Sequence, residues 1–243
     1  MQMKSRILFD ERVSDIEKYF NFIELLINKK PKLSYTDNGL PHEDDVSKDT
    51  THILKSNAFL LLYNLIEATI SNAIEDIHDE ILSDASIGAD LLCVKLTKIA
   101  LRKMEIANLG NFDCESTNAS QIILKSWLTN HKMLVQNNKN PLFSGNVDAK
   151  KIREIADDYG FSYSTNKDDT HNGACLVTIK LSRNSLAHGS DSFLDKGRET
   201  AIEELIAFKN QTICYLDGIL ENIEEYIESK QYLRQPTSVQ LAI

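Results

Sequence analysis

The stretch that decides the fold is Thr51–Leu82, THILKSNAFLLLYNLIEATISNAIEDIHDEIL. Phe59, Leu62, Ile66, Thr69/Ile70, Ala73, Ile77 and Ile81 recur every three or four residues, the spacing that places side chains on one helical face. Its first half, NAFLLLYNLI, is apolar almost all round, so this helix is buried on more than one side. Such a helix crosses the middle of a bundle or forms a subunit interface. Asn64 and Glu67 sit within it and need partners if they are buried. Polarity alone makes them candidates to support a site nearby, or simply structural groups; Glu67 can also lie on a wetter edge.

Helical spacing continues on both sides. Upstream, a helix is predicted over Ser5–Lys29, with Ile16, Phe20, Ile23 and Ile27 on one face and Pro31 after its end. KLSYTDNGLPHEDDVSKD, broken by Asn-Gly and Pro, reads as a polar loop. Downstream, helices are expected over Ile87–Asn108, over Ser120–Gln136 with Trp127, and from Asp148 to Gly160. Two more follow, Ala174–His188 stopped by Gly189, and Lys196–Lys230. Four Pro and nine Gly in 243 residues are few turn formers for a strand-rich chain. The fold class is therefore all-α. Residues 1–50 form an N-terminal helix and polar loop packed on a helical domain of residues 51–230. Residues 231–243 form a flexible or docking C-terminal tail.

Composition narrows the function. The N-terminus lacks the apolar core of a signal peptide, and no window approaches the ~20 apolar residues of a membrane span. A cytoplasmic chain without a membrane role is expected. Cys93, Cys114, Cys175 and Cys214 form no CxxC pair and read as reduced structural thiols. A net charge of −9 argues against broad, nonspecific nucleic-acid binding. Basic residues are nonetheless concentrated: Lys95, Lys98 and Arg102 form a helical stripe. Lys125, Lys132, Lys139, Lys150, Lys151 and Arg153 face the single acid Asp148 between residues 116 and 153. They are solvated lysines or a local polyanion path, with Lys95, Lys98, Arg102, Lys150, Lys151 and Arg153 the RNA-binding candidates. His42-Glu43-Asp44-Asp45 and Asp168, Asp169, His171 are weak metal patterns whose ordinary explanation is solvated loop acids. No metal or cofactor is expected.

The remaining chemistry lies in LSRNSLAHGSDSF, residues 181–193. Leu176, Ile179, Arg183 and Leu186 are spaced three, four and three, which puts Arg183 on an apolar seam. A guanidinium there is costly without an anionic or hydrogen-bonding partner. Asn184 and His188 are one turn apart, so the amide can bond the imidazole and fix its tautomer. His188 lies in the last turn, where the helix dipole favours the protonated ring. Histidine moves protons near neutral pH and arginine grips phosphate as charge builds, which suits phosphodiester cleavage. One such pair supplies one proton-transfer group, so two copies meeting across a symmetric dimer would complete the set. The spacing alone equally describes an arginine bound to a carboxylate beside a terminal histidine.

LSRNSLAHG resembles the R-x4–6-H signature of the HEPN superfamily. FLLLYNLIEATISNAIEDIHDEI, NPLFSGNVDAKKIREIADDYGF and RNSLAHGSDSFLDKGRET resemble a prokaryotic HEPN branch of defence and toxin ribonucleases. The resemblance implies a HEPN-type helical bundle with an additional N-terminal helix and short helical insertions. It implies a homodimer with facing motif helices and metal-independent RNA cleavage leaving a 2′,3′-cyclic phosphate and a 5′-hydroxyl. Arg183 and His188 would be the catalytic pair, supported by Asn184. An antitoxin or a defence-complex partner protein is also implied. The alternative is a non-catalytic HEPN module that binds RNA, nucleotide or a partner protein.

Overall fold

The computed structural model describes residues 3–104, 118–137, 139–143 and 145–235. Helix α1 (Lys4–Lys29) ends where Lys30 turns left-handed (φ 46°) before Pro31. Strands β1 (Lys32–Asp37) and β2 (Leu40–Asp45) follow, then the central helix α2 (Lys48–Ser83). After it come α3 (Val94–Lys103), α4 (Ala119–Gln136), α5 (Ala149–Tyr159), the single turn α6 (Lys167–Thr170), the motif helix α7 (Cys175–Ala187), α8 (Phe193–Glu199) and α9 (Ile202–Glu228). The fold is all-α apart from the small hairpin.

Helix α2 begins at Ser47, whose hydroxyl accepts the Thr50 N–H at 3.0 Å. It packs against α1, α7, α8 and α9. Phe59, Leu62, Ile66, Ile70, Ile74 and Ile77 are all buried, joined by Phe9 and Phe20 of α1, Leu176 and Ile179 of α7, and Leu216 and Leu220 of α9. By length and composition α2 is also apolar enough to cross a membrane, and it spends that apolarity on this core. α1 is tied to α9 by Lys209 to Glu17 at 2.7 Å and by Arg6 to Asp217.

Four features differ from the sequence reading. The polar loop is an antiparallel hairpin pairing Leu33 with Asp44 and Tyr35 with His42. Asn38 and Gly39 both adopt positive φ (50° and 81°), the backbone of a tight two-residue hairpin turn. The helix expected from Ile87 starts only at Val94, because residues 91–93 exchange backbone bonds with Tyr232 and Arg234 (2.8 Å each). The end of that expected helix, residues 105–108, lies outside the described residues, as does Cys114.

The helix expected over Lys196–Lys230 is two helices, broken at Thr200 and Ala201. Gly197 presses its backbone onto α2 so closely that a Cβ would sit 1.8 Å from the His52 carbonyl oxygen. The buried Lys55 donates to the Thr200 carbonyl at 2.6 Å, and Ser56 donates to that of Phe193. Those bonds fix the turn. Finally, the segment after α9 does not fray at once: Tyr232 is buried and Leu233 bridges Leu92. Residues 236–243 lie outside the described residues.

Candidate active site

Helix α7 carries its residues as the spacing predicts. Leu176, Ile179 and Leu186 are buried while Arg183, on the same stripe, is half-buried. Its guanidinium lies 4.4 Å from the centroid of the Tyr63 ring of α2, a cation–π arrangement, and donates to Asn184 Oδ1 at 3.0 Å. Among the described residues Arg183 has no carboxylate partner. Its charge is seated on an aromatic face and left uncompensated.

Tyr63 is itself fixed. Its ring is fully buried and its hydroxyl accepts the Val147 N–H at 3.1 Å. Burial raises its pKa, and Glu67, Arg183 and Asp148 all lie near enough to act on it. The Val147 segment leads into α5, capped by Asp148 Oδ1 accepting from Lys151 N at 3.0 Å. The other Asp148 oxygen takes the Lys180 ammonium of α7. Burial alone pushes this carboxyl up, yet Lys180 and the α5 N–H groups outweigh it and hold its pKa below the ordinary value. Asp148 thus locks α5 against α7 one turn from Arg183.

Asn184 departs from its expected role. Its Oδ1 receives Arg183 and its Nδ2 donates to Asn146 Oδ1 at 2.8 Å, so no hydrogen bond joins it to the His188 ring among the described residues. It positions the arginine instead. His188 closes α7: its N–H donates to the Asn184 carbonyl at 3.0 Å, and Gly189 follows with φ 72°. The imidazole is exposed and has no side-chain partner among the described residues.

The outward stripe of α7 is notable for a helix in a single chain. Val177 and Leu181 are 41% and 59% exposed, and with Asn184 and His188 they step by four, three and four along one face. An uncovered apolar stripe leads straight to the motif histidine.

The other candidates scatter. Asn64 is exposed and makes no side-chain hydrogen bond among the described residues, so the partner expected of a buried amide is not required. Glu67 is half-buried beside Tyr63, on the wetter edge of α2. Lys95, Lys98 and Arg102 face Asp157 and Asp158 across a shallow depression, Arg102 lying 3.8 Å from Asp158. Lys151 pairs with Glu154 at 3.4 Å. Lys150 and Arg153 line a separate cavity near the start of α7. In the hairpin, His42 stacks on Tyr35, whose hydroxyl donates to Asp44 at 2.8 Å. Among the described residues no three metal-binding side chains gather.

Tyr63 and Asn146 escaped the sequence reading. Tyr63 looks like one more apolar residue in FLLLYNLI, and Asn146 like one more loop amide; only the tertiary fold brings Tyr63 to Arg183 and Asn146 to Asn184.

The sequence matches the family model described as HEPN_MAE_28990-like HEPN over residues 4–232. The chain belongs to this HEPN family. The match begins with α1 and runs to Tyr232, so the N-terminal helix and hairpin of this HEPN chain fall inside the family's span. No curated protein matches it. No solved structure matches it either.

Proposed function

We propose that this HEPN chain is a cytoplasmic, metal-independent endoribonuclease that works as a homodimer, serving as a toxin or antiviral effector. The observation that carries the reading is Arg183: a guanidinium held over Tyr63 and steered by Asn184, with no carboxylate to spend its charge on. A phosphate is the partner that such a group accepts best. The exposed Val177–Leu181 stripe supports a second copy covering α7, which brings a second Arg183 and His188 to the first.

In that arrangement one His188 imidazole removes the proton of a ribose 2′-hydroxyl as its oxygen attacks the adjacent phosphorus. Both Arg183 guanidinium groups stabilise the charge building on the phosphoryl oxygens. The bond to the 5′-oxygen breaks, and the protonated imidazole of the second copy returns a proton to that oxygen. The products are a 2′,3′-cyclic phosphate and a 5′-hydroxyl.

Leu181→Asp tests the composite site, because it changes the outward stripe without touching the motif. A folded monomer that no longer cleaves RNA is the expected result, read by solution mass and by gel assay. A Leu181→Asp monomer that still cleaves at the wild-type rate sinks the dimeric site. RNA binding without turnover, unchanged in His188→Ala, would instead mark a non-catalytic binding module.

A further inference from the structure

The second polar concentration on α7 lies at its opposite end, about 20 Å from His188 at 1.5 Å per residue. A cavity of about 600 Å³ opens there, lined by Lys150, Arg153, Tyr163, His171, Ala174 and Tyr215 among others. That volume is within the range of small-ligand sites. Its charge is one-sided. Neither Lys150 nor Arg153 has a carboxylate partner among the described residues, and the nearby Asp148 is engaged by Lys180. Arg153 donates to the Asn172 carbonyl at 3.4 Å and otherwise lies beside the Tyr215 hydroxyl. Helix α7 starts at the rim, with no side chain capping its first turn.

Tyr215 gives the cavity its direction. The residue is 1% exposed, and its hydroxyl lies beside the donor-only Arg153 guanidinium with no acceptor for its own proton among the described residues. A buried O–H without an acceptor is an unmet demand in the folded protein. Gly173 permits the arrangement. Its φ is +74°, and a Cβ there would come within 3.0 Å of the Tyr215 ring, so only glycine lets the loop close over the phenol.

We infer that this cavity binds a phosphate group of the RNA chain, one helix length from the cleaved bond. Lys150 and Arg153 supply the charge, His171 offers a ring N–H, and the phosphate gives Tyr215 Oη the acceptor it lacks once Arg153 exchanges its long bond to Asn172 for the anion. Tyr163, 42% exposed at the rim, offers a face for the attached base. The inference rests on the ribonuclease reading only for the source of the phosphate. A free mononucleotide presents the same chemistry.

The experiment is calorimetric titration of the full chain, in a His188→Ala background that prevents turnover, with a ten-nucleotide single-stranded RNA and with adenosine 5′-monophosphate. Arg153→Gln and Tyr215→Phe are each expected to weaken both ligands about tenfold, the loss of one charge-assisted or neutral bond. Tyr215→Phe should meanwhile keep or raise Tm, since it removes an unsatisfied hydroxyl. Unchanged affinities in both variants, or a lowered Tm with unchanged affinity in Tyr215→Phe, overturn the inference. Loss of mononucleotide binding with RNA affinity intact overturns RNA as the source. If the protein with His188 restored binds RNA through this cavity yet cleaves nothing, the ribonuclease reading fails while the binding site stands.

Discussion

His188 and the pair His78–His131 show two opposite uses of the same side chain. His188 stands exposed at the end of α7, with no side-chain partner among the described residues. His78 is 5% exposed and His131 7%; their rings meet edge to face at 4.4 Å, and His78 also packs on Trp127. His78 Nε2 shares a hydrogen bond of 2.9 Å with the Tyr159 hydroxyl. Burial, reinforced by His131, pushes the His78 pKa well below its usual value; burial and Lys103 bring His131 to about 4. The buried pair is committed to staying neutral and joining α2, α4 and α5. The exposed ring is bonded to no side chain among the described residues, which under the proposed function leaves it free to transfer protons.

The contrast is sharpest under substitution. His188→Ala or Arg183→Ala should lower the cleavage rate about 10²- to 10⁴-fold, while stability moves by less than about 0.5 kcal/mol for the exposed His188 and by about 1 kcal/mol for Arg183, which gives up its seat on Tyr63. Gel assays and thermal melts on the same preparations check both halves. A large loss of stability in either variant would place these residues with the structural pair. His78→Ala is expected to do the reverse, costing about 3 kcal/mol by emptying a packed site and orphaning the Tyr159 hydroxyl. Cleavage per folded molecule should remain at the wild-type level.

A pH series separates the two groups without mutation. His78 and His131 are neutral in the fold, whereas the unfolded chain takes up protons near pH 6.5, so acid favours unfolding. Their contribution is full above about pH 6.5 and is lost as pH falls toward the folded value of about 4 for His131. Urea unfolding should show a drop of about 2–3 kcal/mol between pH 7 and 4.5 from His131 alone. His131→Leu should flatten that slope; an equally steep slope in the variant would assign it elsewhere. The smallest effect belongs to Asn184→Ala. Freeing Arg183 from one of its anchors should slow cleavage about tenfold, equivalent to one hydrogen bond of about 1 kcal/mol. If His188→Ala were no worse than Asn184→Ala, the histidine would not be the proton carrier.

What the sequence disclosed is local. The stripe that seats Arg183 among Leu176, Ile179 and Leu186 follows from helical period, and the Asp148 cap and the Gly160 and Gly189 stops follow from residue type. What escaped is set by contacts distant in the chain. The break at Thr200 exists because Gly197 and Lys55 bring α8 onto α2. Asn-Gly was visible, but the polar flanks of the hairpin, exposed on both faces, carry no burial alternation to announce strands. The basic stripe and the basic segment looked like one path in one dimension, yet folding sends Arg102 of the stripe toward Asp158, and in the segment Lys151 toward Glu154 and Lys150 and Arg153 to the cavity. Asn184 held its neighbourhood but changed its partner, because Asn146 arrives from the loop before α5.

The ion pairs of α1 with α9 also dictate an order of events during synthesis. Arg6 finds Asp217, and Glu17 finds Lys209, only when α9 has left the ribosome. Until then Phe20 lacks Lys209 and Phe59 lacks Phe208, their ring partners on α9, and non-local closure of this kind comes late in folding. A growing chain that already carries residues 183–188 therefore has no finished scaffold on which to hold them. Fragments ending at Glu199 should be digested by protease within α2, whereas the full chain resists. Under the proposed ribonuclease reading, a nascent chain that still lacks α9 is not yet competent to attack RNA, its own message included.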